Sequence, residues 1–371
     1  MKKVSKNSFT YDEILTAYMQ CRKHKRNTYD AMEFEKNFAY KLEVLLKQVN
    51  DRTYKPGRYK CFPVLIPKPR EIWAAPFKDR VVHHLIFNEI GEEFEKHFID
   101  QSYSCLKGRG TLKCINDAFK GCRKITRNFQ EEAFYIKLDI KNFFVSINKE
   151  ILWGIVKEKV DEDSLLGWLI KCNIFHDITE NPRIMKRKIL ALVPEYKSLR
   201  NVDYKRQGLP IGNLTSQFFS NIYLNGLDQY CKHTLKLKYY YRYADDILIL
   251  IKDTSEAKNI INSMNEWLMQ NRKLQLNTLK TVVNRIRQGV QFVGARIFYH
   301  YMIPSKASLD KLKQAIKSFR KDVFSCKKLS TLNSYIGLCL NFNTRSMRAR
   351  ILNKCQLNLI YDNDAGKIFY L

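Results

Sequence analysis

Tyr241-Arg242-Tyr243-Ala244-Asp245-Asp246-Ile247-Leu248-Ile249-Leu250-Ile251 sets two adjacent carboxylates inside an apolar and aromatic run. An uncompensated carboxylate between buried strands costs roughly several kcal/mol, so a cation is expected to meet it. A solvated turn, where Asp is common, is the simpler alternative. A third acid, Asp139, ends the run Ala133-Phe134-Tyr135-Ile136-Lys137-Leu138-Asp139-Ile140. Mg²⁺ prefers oxygen ligands and commonly uses one or two carboxylates plus substrate phosphates. Two such ions can clamp the attacking oxygen and the leaving pyrophosphate of an in-line displacement. Chemistry of that kind needs positioning and charge neutralisation more than covalent participation.

The elements that must hold these acids can be read from periodicity. In residues 133–140, Phe134, Ile136, Leu138 and Ile140 face one way and Tyr135, Lys137 and Asp139 the other, which predicts a strand. Residues 238–251 predict a β-hairpin with an acidic tip. Helical spacing is expected at Phe34, Phe38, Leu42, Leu45, Leu46 and Val49, from Val81 to Phe98, from Ile151 to Val160, and along Phe219, Ile222, Tyr223, Gly226, Leu227 and Tyr230. Tyr59–Ile66 reads as a strand ended by Pro67-Lys68-Pro69-Arg70. Residues 176–206 read as an irregular basic loop or insertion. Two C-terminal helices carry Leu309, Leu312, Ile316 and Phe319, then Leu332, Tyr335, Ile336, Cys339 and Leu340. Mixed elements with a helical appendage predict an α+β chain.

Sixty-five Lys and Arg against 37 Asp and Glu give 371 residues a formal charge of +28. Such a field attracts polyanions, and each neutralised phosphate releases counterions. A generically basic structural protein shares that charge. With 45% hydrophobic residues the chain can build cores, so disorder is not expected. The ten cysteines include no C-x-x-C pair; they are expected to be reduced, mostly buried thiols of a cytoplasmic protein. Neither a signal peptide nor an apolar run approaching ~20 residues is present, so no membrane partner is expected.

The ordered motifs resemble reverse transcriptases. Tyr243-Ala244-Asp245-Asp246 is similar to their Y-x-D-D signature, and Lys137-Leu138-Asp139-Ile140-Lys141-Asn142-Phe143-Phe144 to their first acidic motif. Ile66-Pro67-Lys68-Pro69-Arg70 and Pro76 to His84 resemble the fingers. So does Gln101-Ser102-Tyr103-Ser104-Cys105 with Gly108-Arg109-Gly110-Thr111. Leu276 to Thr281 resembles the lysine-bearing motif, and Phe292-Val293-Gly294 the primer grip.

The resemblance implies a right hand: N-terminal extension and fingers in 1–130, palm in 131–300, helical thumb in 301–371. It implies Asp139, Asp245 and Asp246 as catalytic acids. These, with the backbone of Ile140, would hold two Mg²⁺ ions, for which Mn²⁺ can substitute. The nucleotide-binding residues would be Lys68, Arg70, Asn142, Phe143, Phe144, Ile211, Gly212 and Lys280. Lys68 and Arg70 would grip the triphosphate, Phe144 would exclude a ribose 2′-hydroxyl, and Lys280 would approach the pyrophosphate. A solvated basic loop and an ordinary core aromatic are the simpler readings of Lys68/Arg70 and of Phe144. The implied partners are template RNA, primer, RNA–cDNA duplex and deoxynucleoside triphosphates.

Within Gly208 to Gln217, Ile211-Gly212 and Ser216-Gln217 stand where many family members have Gln-Gly and Ser-Pro. Gln207-Gly208 lies too far from Ser216 to be that pair. The substitution resembles the enzymes of diversity-generating retroelements, which copy RNA with errors at adenines and work with a small basic accessory protein. A Gln can fix a nucleotide by hydrogen bonding, whereas Ile only packs, and selectivity follows such differential contacts. Retron and abortive-infection reverse transcriptases, and an inert RNA-binding protein on the same fold, are the alternatives. No RNase H, full-sized maturase or zinc-bearing endonuclease domain is expected after the thumb.

Overall fold

The computed structural model describes residues 3–347, apart from 24, 26, 66, 67, 299 and 322–325, together with 359–362 and 367–370. The elements run α1 (Tyr11–Arg22), α2 (Tyr29–Glu35), α3 (Phe38–Asn50), β1 (Lys60–Val64), β2 (Arg70–Ala74), α4 (Phe77–Glu95), α5 (Thr111–Ile125), β3 (Phe134–Asp139), α6 (Phe143–Ser146), α7 (Lys149–Lys157), α8 (Leu165–Phe175), β4 (Arg183–Ile184), α9 (Arg187–Leu190) and α10 (Leu214–Gln229). They continue with β5 (Tyr240–Tyr243), β6 (Asp246–Ile251), α11 (Ser255–Arg272), β7 (Val282–Arg285), β8 (Val290–Phe292), β9 (Ala295–Ile297), β10 (Met302–Pro304), α12 (Lys306–Lys321), α13 (Cys326–Leu340), β11 (Leu359–Asp362) and β12 (Lys367–Tyr370). The expected α+β class is observed. The C-terminal part is not wholly helical, because β11 and β12 form an antiparallel pair there. Ile66, Pro67 and the side chain of Phe319 lie outside the described residues.

The chain forms two compact units. The first combines residues 1–106, 140–236 and 261–277; the second combines 107–139, 237–260 and 278–371. In the first unit Thr10 caps α1 in a capping box with Glu13, satisfying two orphan N–H groups. Phe87, Phe94 and Phe98 surround Phe218, joining α4 to α10. β2, β1 and β4 make a small sheet, with β1–β2 antiparallel and β1–β4 parallel. β2 and β4 were not foreseen from periodicity; both are short, and β2 opens right after Pro69.

Residues 176–206 are not an irregular loop. They contain β4, α9 and two 3₁₀ turns, and Ile178, Leu190, Val193, Leu199 and Tyr204 are buried with Tyr59, Cys61, Trp73 and Ala75. Five apolar residues spread over the segment escape a helical or strand period, yet they suffice to close this core. A buried carboxylate fastens it: Glu71 on β2 accepts from Trp73 Nε1 (2.5 Å), Ser198 Oγ (2.5 Å) and Arg200 Nε (3.1 Å). The side chain of Glu71 is 1% exposed, so these bonds replace hydration that burial removes.

Lys149, first residue of α7, is also wholly buried. Its Nζ lies 3.5 Å from the centre of the Tyr204 ring and has no hydrogen-bond acceptor among the described residues. Burial pushes its pKa down to about 7, against smaller upward pulls from Asp177 and Asp203.

The second unit is built on a four-stranded antiparallel sheet of order β5-β6-β3-β7. Ile136, Leu138, Ile247 and Ile249 are fully buried on one face. α5 covers part of the other. A Cβ on Gly121 would meet Tyr241 Oη at 2.0 Å and Leu250 Cδ1 at 3.3 Å, so only glycine lets the helix approach this closely. β8, β9 and β10 form a separate meander. Six of the described cysteines are buried free thiols. Among the described residues no helix is long and apolar enough to cross a membrane.

Two predictions follow from the buried charges. Glu71→Ala strands Arg200, Ser198 and Trp73 Nε1, and should lower stability by roughly 2–4 kcal/mol in urea titrations. Lys149→Met should raise it. Below about pH 7 both folded and unfolded chains carry the charge, and the folded one bears the full desolvation cost. Between about 7 and 10.5 the folded lysine sheds its proton first and that cost fades. The gain from Lys149→Met should therefore be largest at or below neutrality and shrink as pH rises; a gain constant across that range would contradict it.

Candidate active site

Strand register brings the acids together. Asp139 on β3 stands directly opposite Asp246 on β6, and Asp246 opposite Tyr243 on β5. Directly opposed residues point to the same face. Ala244 (φ +54°) and Asp245 form the two-residue turn between β5 and β6. An alanine held in that left-handed region is strained by roughly 1–2 kcal/mol. Arg242, fully buried on β5, donates from Nη1 to the Ala244 carbonyl at 3.2 Å and supports this turn. Tyr243 Oη accepts from Thr111 Oγ1, the first residue of α5, at 3.2 Å.

The lysine arrives by the same logic. β7 pairs with β3 so that Val282 opposes Lys137. Continued for two residues, that register sets Lys280 opposite Asp139, and Nζ lies 2.6 Å from Asp139 Oδ1.

Electrostatics set Asp245 apart. Burial, then the charges of Asp246 and Asp139, push its carboxyl up to about 6, while its own backbone N–H and Lys280 pull the other way. Three carboxylates thus lie together at one end of the sheet, with the Lys280 ammonium beside Asp139. Their donors are all oxygen, which suits a hard divalent cation such as Mg²⁺. Among the described residues, no group of three or more His, Cys, Asp or Glu is placed so that it could hold a metal ion. A site made of carboxylates and substrate phosphates needs no such group.

The remaining expected residues fall as follows. Phe292 is buried at the end of β8, and Val293 (φ +44°) with Gly294 (φ +80°) makes the turn to β9, in the same unit as the acids. Ile140, Lys141 and the rest of that motif belong to the first unit. Ile140 bridges to Leu276, and Lys141 N–H donates to the Gln275 carbonyl at 2.9 Å. Asn142 (φ +50°) begins α6; Phe143 is buried and Phe144 half-buried, their rings 5.2 Å apart.

Lys68 and Arg70 are exposed, at the turn into β2. The Ile211 carbonyl accepts from Trp73 N–H at 3.1 Å, and the Phe144 carbonyl from Leu209 N–H at 2.8 Å. Gly212 (φ +116°) sits where a Cβ would come 3.2 Å from Ile72 Cγ2. In this unit, then, β2 and α6 both hold the 209–212 loop by its backbone. Gln217 Oε1 accepts from Cys105 Sγ at 3.2 Å.

Thr111, expected as part of a fingers motif, supports the acid end, as do Arg242 and Gly121, which were not singled out. Arg242 left a signal, a lone charge on an apolar strand. Nothing local marks Gly121.

Residues 66–297 match the family described as reverse transcriptase (RNA-dependent DNA polymerase). The chain is 21% identical over 316 residues to the putative COX1/OXI3 intron 2 protein of Saccharomyces cerevisiae, covering 70% of this chain and 34% of that protein. It is 21% identical over 304 residues to the group II intron-encoded protein LtrA of Lactococcus lactis subsp. cremoris, covering 68% of this chain and 49% of that one. It thus spans a third to a half of the length of these relatives. A telomerase structure from Candida albicans, in complex with a telomeric RNA fragment, is similar over 84% of this chain and 58% of its own, at 14% identity and a TM-score of 0.43.

If mutual repulsion destabilises the acid cluster, Asp245→Asn should stabilise the metal-free fold near neutral pH by roughly 1–3 kcal/mol. Mg²⁺ should raise the melting temperature of the parent protein and leave the variant nearly unmoved. An equal response of both proteins to Mg²⁺ would remove Asp245 from the cation site.

Proposed function

Because the chain belongs to the reverse transcriptase (RNA-dependent DNA polymerase) family, we propose that it copies an RNA template into DNA at Asp139, Asp245 and Asp246. The observation that carries this reading is the convergence of the three acids, with Asp139 opposite Asp246 and Asp245 in the adjoining turn. Two divalent ions, when bound there, supply charge neutralisation of the attacking and leaving oxygens.

The protein's own groups do the rest. Asp139 and Asp245 hold the cations, and Asp246 completes the negative field. Lys280, already beside Asp139, faces the charge that builds on the leaving pyrophosphate. Lys68 and Arg70 take the triphosphate, a role that exposure and a guanidinium fork both suit. Phe144 underlies the sugar, and Phe292-Val293-Gly294 holds the primer. The basic surface binds phosphates and duplex shape rather than sequence. Buried free thiols fit work in a reducing, cytoplasmic compartment.

The finer reading is a diversity-generating enzyme, error-prone at template adenines and assisted by a small basic protein. Ile211 supports it. Its carbonyl is occupied by Trp73, and its side chain offers the incoming nucleotide packing but no hydrogen bond.

Primer extension on an adenine-containing RNA, with Mg²⁺ and four deoxynucleotides, tests both levels. DNA synthesis is expected, with Asp245→Ala reducing it by roughly a thousandfold or more. Errors should concentrate opposite adenine and fall in Ile211→Gln. Accurate synthesis that Ile211→Gln leaves unchanged would keep the polymerase and reject the diversity-generating reading. Absence of synthesis with template RNA and accessory protein supplied would reject both.

A further inference from the structure

Between residues 107 and 130 the sequence carries seven Lys and Arg against the single acid Asp117. The structure sorts them. α5 spends one face, through Cys114, Ile115, Ala118, Gly121, Cys122 and Ile125, on burial. Lys113, Lys120, Arg123 and Lys124 are left on its exposed side.

Where the helix ends, Arg127, Asn128 and Phe129 take φ of +46°, +58° and +67° in succession, turning the chain back on the helix. That turn is fixed by hydrogen bonds. Asn128 N–H donates to the Arg123 carbonyl at 2.8 Å, Phe129 N–H to Thr126 Oγ1 at 2.9 Å and Glu131 N–H to the Thr126 carbonyl at 2.9 Å. Asn128 Oδ1 in turn accepts from Arg123 Nε (3.2 Å) and Nη2 (3.1 Å), holding the guanidinium in place.

The result is an open concavity of about 570 Å³ walled by Lys120, Arg123, Lys124, Arg127, Asn128 and Gln130. Asp117 is shared by Lys113 (3.1 Å) and Lys120 (3.9 Å), and Arg127 pairs with Glu131 at 2.7 Å. Arg123 and Lys124 make no ion pair among the described residues. Half-buried Phe119 and Phe129 lie beside them, ring centres 6.4 Å apart. Cations at a helix C-terminus are favourable by themselves, but a cap needs neither a concavity nor half-exposed rings beside it. Cations that track phosphates beside aromatic faces are the chemistry of single-stranded nucleic acid binding.

We infer that the C-terminal end of α5 is a second RNA-binding surface, which grips phosphates of the template RNA outside the stretch being copied. The inference rests on the proposed use of an RNA template. The other end of α5 touches Tyr243 through Thr111, and fifteen helical residues span about 22 Å. One RNA strand can therefore reach both the acids and this surface along a single helix.

The test compares the full chain with a Lys120→Gln/Arg123→Gln/Lys124→Gln variant, using a long RNA and a short primer–template. The expected result is about tenfold weaker binding of the long RNA, with the slope of log K against log salt shallower by about two to three. DNA synthesis on saturating short primer–template should be unchanged. A Lys120→Arg/Arg123→Lys/Lys124→Arg variant should behave as the parent, which separates lost charge from lost fold. Equal affinity and slope in the neutral variant would overturn the inference. So would equal RNA binding with selective loss of polyglutamate retention, which would assign the surface to an acidic protein. If the parent makes no DNA even with template RNA and accessory protein supplied, the polymerase reading fails while the salt slopes still decide this one.

Discussion

Three carboxylates crowded at one end of an antiparallel sheet repel one another, and the second unit is arranged around holding them there. The register that sets Asp139 against Asp246 also buries Ile136, Leu138, Ile247 and Ile249 on the opposite face. A slip of one residue would turn every one of those side chains over. Core burial therefore holds the acids in place against their own charge. The turn carrying Asp245 is strained at Ala244 and propped by a buried arginine. A cation bound beside such a cluster would relieve that repulsion.

The first unit solves a different problem. β1 and β2 present Lys68 and Arg70 from a hairpin too short to be stable by itself. Its stability comes from the 176–206 segment, which adds β4, supplies half of a small core and ties Glu71 to Ser198 and Arg200. Through Trp73 the same strand fixes the backbone of Ile211. A segment built from short elements is thus what holds β2 and the backbone of Ile211 in register with one another.

Much of this was legible in the sequence, for reasons that differ by residue. The strand at 134–139 declared itself by period-two alternation ending on an acid, and the hairpin at 240–251 by two apolar runs interrupted by adjacent acids. Helices α4, α7 and α10 appeared within a few residues of their expected bounds, because each buries a broad apolar face. The 176–206 core was not legible: its five apolar residues meet partners more than a hundred positions away, and long-range pairing leaves no local period. β2 was hidden behind a proline. Lys280 was found by motif, but its contact with Asp139 is a consequence of β7 register that no single-strand pattern reveals. Gly121 and the helix that carries it were not foreseen, and the tyrosine that requires the glycine lies 120 positions downstream.

That glycine has a further consequence. With Tyr241 Oη filling the space a Cβ would occupy, close packing of α5 on the sheet requires that Gly121 be the residue turned towards Tyr241. That sets the angular phase of the helix, and with it the direction in which its basic side points. One residue inserted within the helix after Gly121 would swing everything beyond it by about 100°, aiming Arg123 and Lys124 elsewhere while the acids stayed where they are. Variation in chain length between homologues should therefore gather in the loops before Thr111 and after Gln130. The helix between them behaves as a ruler of fixed length, with the acidic turn at one end.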